Sequence, residues 1–194
     1  MLVPSRFLIL LLLITACELA NNKLTLGQMD DPEEIVQKVE AYTDTTEVKP
    51  GQLITIKISV QLKAGWHTYP TQQEEKGANS FVNKISFPKS LDIIAVDKLM
   101  EPANAKFKAE PAIRVKKMAY YPGGGVWEQK VIISPKATVG EKTIKVNMTL
   151  SVCDKDNCLP PKKIPLEAKI KVQSGSPLPI DAKYQDTVKK ALGH

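Results

Sequence analysis

Histidine is almost missing from this 194-residue chain: there are two, His67 and His194, and the second is the last residue. A structural zinc site takes about four nitrogen or sulfur ligands, and Cys153 and Cys158 have no second ligand pair to join them. No metal site is expected on that ground, although copper(I) on two thiolates stays open. Aromatic residues are sparse at 6 %, and the net charge of +6 comes from scattered lysines. Without an arginine-rich run or a basic strip interleaved with aromatics, nucleic acid is not an expected partner. Gly123-Gly124-Gly125 lacks a following Lys-Ser or Lys-Thr, so it is not a phosphate loop. No local pattern suggests a nucleophilic serine with a histidine, and Asp92, Asp97 and Glu101 read as scattered surface acids. No cofactor is expected.

The one long apolar run covers residues 7–16, FLILLLLITA, after Arg6 and before Cys17. It is half the roughly 20 residues that a membrane-spanning helix needs, and its order of charge, apolar core and small residues is that of a secretory signal. Ile14-Thr15-Ala16-Cys17 also fits a lipobox, which makes Cys17 a candidate lipid-attachment residue, with ordinary cleavage after Ala16 as the alternative. Residues 1–16 are thus read as a signal peptide and residues 17–34, polar and without periodicity, as a tether. Export to the periplasm, with a lipid anchor in a membrane, is the expectation.

From residue 35 onwards apolar residues recur at every second position, the period of a β-strand. In residues 53–62, Ile54, Ile56, Ile58, Val60 and Leu62 share a face; in residues 143–152, Ile144, Val146, Met148, Leu150 and Val152 do. Further strands are expected over residues 82–87, 91–96, 113–119, 126–133 and 163–172, with turn-forming residues between them. Seven or more short strands with one apolar face each give an all-β fold, an immunoglobulin-like β-sandwich over residues 35–175. Residues 176–194 form a tail in which Ala182, Val188 and Leu192 mark a short C-terminal helix, appended to the body and frayed. Two segments break the alternation: Gly65-Trp66-His67-Thr68-Tyr69-Pro70, and the long connection from Asp97 to Gly125. A loop of that length is usually functional or disordered.

Cys153 and Cys158 enclose Asp154-Lys155-Asp156-Asn157, four turn-forming residues, so a hairpin there brings the two sulfurs together. In an exported protein such a pair is expected as a disulfide. By loop entropy so small a ring stabilises a fold by only about 2 kcal/mol, against nearly 5 for a ring of about 100 residues. That favours a redox role over a staple, and the staple stays open as an alternative. Asp154 and Asp156 beside the sulfurs should disfavour a thiolate.

Three pieces in this order, Gly65-Trp66-His67-Thr68-Tyr69, Val126-Trp127-Glu128 and Cys153…Cys158-Leu159-Pro160-Pro161, resemble the N-terminal periplasmic domain of the thiol:disulfide interchange protein DsbD. The resemblance covers residues 38–172. It implies an immunoglobulin-like fold, a Cys153–Cys158 pair that cycles between dithiol and disulfide, and a cap of aromatic side chains over it. By position Tyr120 and Tyr121 would belong to the cap, with His67 and Tyr69 beside the sulfurs and the three glycines as its hinge. Trp66 and Trp127 read as core. The implied role is an oxidoreductase component that takes electrons from a thioredoxin-like donor and reduces a thioredoxin-like client. The chain departs from the family in having Leu150-Ser151 where Tyr-Gln is common, and in a longer cap connection. The family's membrane part and thioredoxin-like domain have no counterpart here, so the donor is expected to be another polypeptide. A lipid-anchored binding or scaffold module is the alternative.

Overall fold

Alternation dictates which side of each strand meets the core. The structure, a computed structural model, describes residues 32–193. The expected signal peptide, Cys17, His194 and residues 17–31 of the expected tether lie outside the described residues. Strand β3 (Leu53–Leu62) buries Ile54, Ile56, Ile58, Val60 and Leu62, and β10 (Gly140–Leu150) buries Ile144, Val146, Met148 and Leu150. These rows face each other across one apolar core, which also takes Trp127, Leu166 and Ile170.

Two four-stranded sheets enclose that core. One has the order β1-β3-β9-β6, with β1 Val36–Thr43, β9 Gly124–Ile133 and β6 Ile93–Met100. The other has the order β2-β12-β10-β5, with β2 Glu47–Val48, β12 Lys162–Val172 and β5 Lys84–Ser86. Pairings are antiparallel except β2 with β12. The fold is an immunoglobulin-like β-sandwich.

A third, smaller sheet sits at one end, in the order β11-β4-β8-β7: Val152–Cys153, His67–Thr68, Val115–Pro122 and Lys106–Glu110. Two strands feed it by changing sheets, as orthogonally packed sheets do at corners. β10 passes into β11 through Ser151, and β8 passes into β9 through Gly123. The strand expected over residues 113–119 is β8, and the rest of the long connection is not a loop: β6 runs on to Met100 and β7 pairs with β8 as a β-hairpin. Two of the three glycines expected as a hinge are packed into the sheet corner. Gly123 accepts from Leu62 N and donates to Trp66 O, and Gly124 lies against the Val60 carbonyl.

The C-terminal helix (Gln185–Leu192) is not merely appended. Val188, with Tyr184 from the 3-10 turn before it, is buried on Ile94, Val96 and Ile132 on the outer face of the first sheet. The Tyr184 hydroxyl donates to Asp97 Oδ2 at 2.6 Å.

Candidate functional site

Cys153 and Cys158 are a facing pair across a four-residue hairpin and are disulfide-bonded. Asp154 N donates to Asn157 O and Leu159 N to Val152 O, both at 2.9 Å, so the cysteines occupy the narrow, non-hydrogen-bonded site between them. Their Cα atoms are 4.0 Å apart. The turn holds its shape because Asp154 Oδ1 accepts from Asp156 N at 2.7 Å and Asn157 N at 2.5 Å. Those two backbone donors hold the Asp154 carboxyl below the usual carboxylate range. The two sulfurs are not equivalent. Cys153 is 3 % exposed, packed among Tyr69, Ala78, Val115 and Met118, whereas Cys158 is exposed.

Register decides which side chains join them, because residues paired across a sheet share a face. Cys153 pairs with His67, His67 pairs with Pro122, and Tyr120, two residues back, pairs with Lys106; Lys108 pairs with Met118. One face of the small sheet thus carries Cys153, His67, Tyr120, Met118, Lys106 and Lys108. The His67 ring meets Tyr69 edge-on at 5.4 Å and Tyr120 at 5.0 Å between centroids. Of the four expected shielding residues, His67, Tyr69 and Tyr120 come together here.

Tyr121 does not. Adjacent strand residues point to opposite faces, so Tyr121 enters the sandwich core, stacked edge-on against Trp127 at 5.6 Å. Its hydroxyl donates to Glu101 Oε2 at 3.1 Å, and Trp127 Nε1 donates to the same oxygen at 2.7 Å. Glu101 Oε1 accepts from Thr71 N at 2.8 Å and from the Thr71 hydroxyl. Glu101 is exposed, as expected of a surface acid, and it also brackets β9, β8 and the chain after β4. Burial comes first in raising the Tyr121 hydroxyl's pKa, with Glu101 second. Trp66 and Trp127 are core residues, as expected.

Lys108 is the main residue that the sequence did not offer. Its Nζ lies 3.4 Å from His67 Nε2, 2.8 Å from Glu110 Oε1 and 5.6 Å from the Tyr120 centroid. An ammonium can only donate, so Nε2 is the acceptor and the ring proton of His67 belongs on Nδ1. Nε2 also lies 3.2 Å from the Tyr69 hydroxyl. Burial, then the Lys108 charge, lowers the His67 pKa to about 4. Burial likewise pushes the Tyr69 hydroxyl up.

His67 is 7 % exposed and must stay neutral in the fold, while in the unfolded chain it takes a proton below its ordinary 6.5. Between those values the unfolded state binds more protons, so stability falls as pH falls. From pH 6.5 to pH 5 the loss at His67 should be about 1.6 kcal/mol. Urea unfolding at several pH values, compared with His67→Gln, checks this: the variant should show a flatter dependence over that range, and equal slopes would refute it.

Side chains also complete the small sheet. Gln73 Oε1 accepts from Ala119 N at 3.0 Å and its Nε2 donates to Ala119 O at 2.9 Å, the pairing a further strand would make. Glu75 accepts from Lys116 N and Lys117 N. Asn83, 1 % exposed, donates to Tyr69 O at 2.6 Å and Thr68 Oγ1 at 2.9 Å and accepts from Ser151 N at 2.9 Å. Thr68 Oγ1 in turn donates to Ser151 O at 2.7 Å. No spacing in the sequence announces these struts, since their partners lie 14 to 83 residues away.

No family model and no curated protein matches the chain. Among solved structures it is similar to the N-terminal periplasmic domain of ScsB from Proteus mirabilis, at 19 % identity and a TM-score of 0.45 over 79 % of this chain; the chain spans about half, 51 %, of that one. It is also similar to the Coh-OlpA–Doc918 cohesin–dockerin complex from Clostridium thermocellum, at 13 % identity and a TM-score of 0.36 over 70 % of this chain and 99 % of that one. The bacterial hydrophobin BslA matches at 11 % identity and a TM-score of 0.27, over 73 % and 98 %.

Proposed function

We propose that this chain is an exported thiol-disulfide relay: Cys153 and Cys158 accept electrons from a thioredoxin-like donor and hand them to a client disulfide. The observation that carries this reading is the asymmetry of the pair. Exchange proceeds by in-line attack of a thiolate on one sulfur, and here one cysteine, Cys158, is exposed while the other is sealed under aromatic rings. A staple needs no such difference. Cys158 is the sulfur a docking partner attacks, and Cys153 is the one it displaces.

The same reading places the protein in the periplasm, where a leader ending at Ala16 would send it and where a dithiol needs protection from wrong oxidants. Lipid on Cys17 would hold it at a membrane. His67, Tyr69 and Tyr120 are its shield.

Incubation of the Cys153→Ser protein with oxidised thioredoxin-like periplasmic proteins should yield a mixed disulfide through Cys158, released by reductant and seen as a mass shift on a non-reducing gel. Cys158→Ser, whose remaining thiol is buried, should trap at least about tenfold less. Absence of any mixed disulfide from both variants, with a native bond that resists mild reductant, would leave the staple reading. Stoichiometric copper(I) on the reduced protein without exchange would indicate metal delivery instead.

A further inference from the structure

We infer that Lys108, acting through His67, is the positioning residue that makes Cys153 the leaving sulfur when a donor thiolate attacks Cys158; this rests on the relay reading above. In that attack a bond forms from the donor sulfur to Cys158 Sγ and the Cys153–Cys158 bond breaks. The electron pair of the broken bond passes to Cys153 Sγ. The donor's second thiolate then displaces Cys158 and closes the donor's own disulfide, so two electrons have crossed and the two cysteines take up two protons. The first step is faster the better Cys153 carries negative charge, because a thiol of lower pKa leaves faster.

Cys153 is buried, which by itself raises a thiol and opposes that charge. The groups around it are few enough to weigh. From its own hairpin come Asp154, Lys155 and Asp156. Asp154 is turned onto the amides of Asp156 and Asn157, and Lys155 pairs with Asp156 in exposed positions. From β4 and its exit come His67 and Tyr69, both neutral at pH 7. From β8 comes Tyr120, and from β7 come Lys108 and Glu110. Lys108 is the cation on this face that touches the residue opposite Cys153, 3.4 Å from its ring nitrogen. Its side chain is 29 % exposed, so its field is less screened than that of Lys155 at 87 %. By donating to Nε2 it leaves the imidazole dipole with the protonated Nδ1 as its positive end. Glu110 lies on the other side of Lys108 and holds it in place at 2.8 Å.

The acidic turn by itself disfavours the thiolate, and the charges of Asp154 and Glu110 also reach His67. Against them the fold ties the Asp154 carboxylate to its own backbone and brings a cation in from a hairpin 45 residues earlier in the chain.

The test is a titration of the Cys153 Cβ resonance by 13C NMR in the Cys158→Ser protein, which reads the buried thiol without needing a reagent to enter. Lys108→Met should raise the Cys153 pKa by about one unit, a roughly tenfold loss of thiolate at neutral pH, and Lys108→Arg should restore it. Lys106→Met, on the same face but without the His67 contact, should move it by less than a third as much. The inference is overturned if Lys108→Met leaves the titration where it was, if Lys106→Met shifts it equally, or if Lys108→Met still raises it by the full amount in a His67→Gln background. The titration needs no partner, so its result stands apart from whether mixed disulfides form.

Discussion

Asn83→Ala should destabilise the protein by about 3 to 4 kcal/mol, a large part of the roughly 5 to 15 kcal/mol that holds a domain together. The reason is what the amide leaves behind. Its removal strands the Ser151 N–H and the Tyr69 carbonyl in a site that is 1 % exposed and robs Thr68 Oγ1 of a donor. Each buried group left unpaired costs about 1 to 3 kcal/mol. Asn83→Asp should be worse, since it turns the donor facing Tyr69 O at 2.6 Å into a second acceptor and buries a charge. Urea unfolding measures both; a loss under about 1 kcal/mol for Asn83→Ala would mean that water replaces the amide and that the node is not structural.

The consequence reaches the sulfurs. Ser151 is where β10 leaves one sheet and Val152–Cys153 joins another, and its own backbone bonds go to side chains, Asn83 and Thr68. The strand expected to run unbroken to residue 152 divides at Ser151 for that reason. Loosening this joint frees the β11–β4 register that sets His67 opposite Cys153. A small thiol should then reduce Asn83→Ala faster than the native protein, because the rings packed beside Cys153 are held in place by this node and by Gln73 and Glu75.

What could be read in advance follows from how locally each feature is encoded. β3, β10 and β12 bury every second residue, and their alternation is plain in the sequence. The cysteine hairpin needs only four turn residues between its ends. β7 was illegible because its pattern is inverted: in Lys106–Glu110 the apolar Phe107 is exposed, with the Lys117 ammonium 4.4 Å over its ring, while Lys108 faces inward. β4 is two residues long, too short for any period. Alternation did hold a warning about Tyr120 and Tyr121, since neighbours on one strand cannot both face the sulfurs. Glu101, Asn83 and Lys108 carry no such signal, because each acts through a partner that only the folded chain brings near.

The glycines offer the sharpest separation between a hinge and a packed corner. Gly124 has a φ of +102, and a Cβ added there would sit 2.0 Å from Val60 O and 2.8 Å from Val60 C. Backbone on the neighbouring strand cannot swing aside, so Gly124→Ala must break the β3–β9 pairing at Gln61 and with it the turn from β8 into the core. Gly123, one residue earlier, has a φ of +70 and nothing within 4 Å of an added Cβ, so Gly123→Ala carries only the left-handed strain of about 1 to 2 kcal/mol. A hinge would respond to both substitutions alike, through slower opening at nearly unchanged stability. A packed corner predicts instead that Gly124→Ala yields little folded protein, or a loss above about 4 kcal/mol by urea unfolding, while Gly123→Ala folds and exchanges at a near-native rate. If Gly124→Ala folds normally and only its exchange with partners slows, the corner is a hinge after all, and the rings beside Cys153 move as one piece with β8.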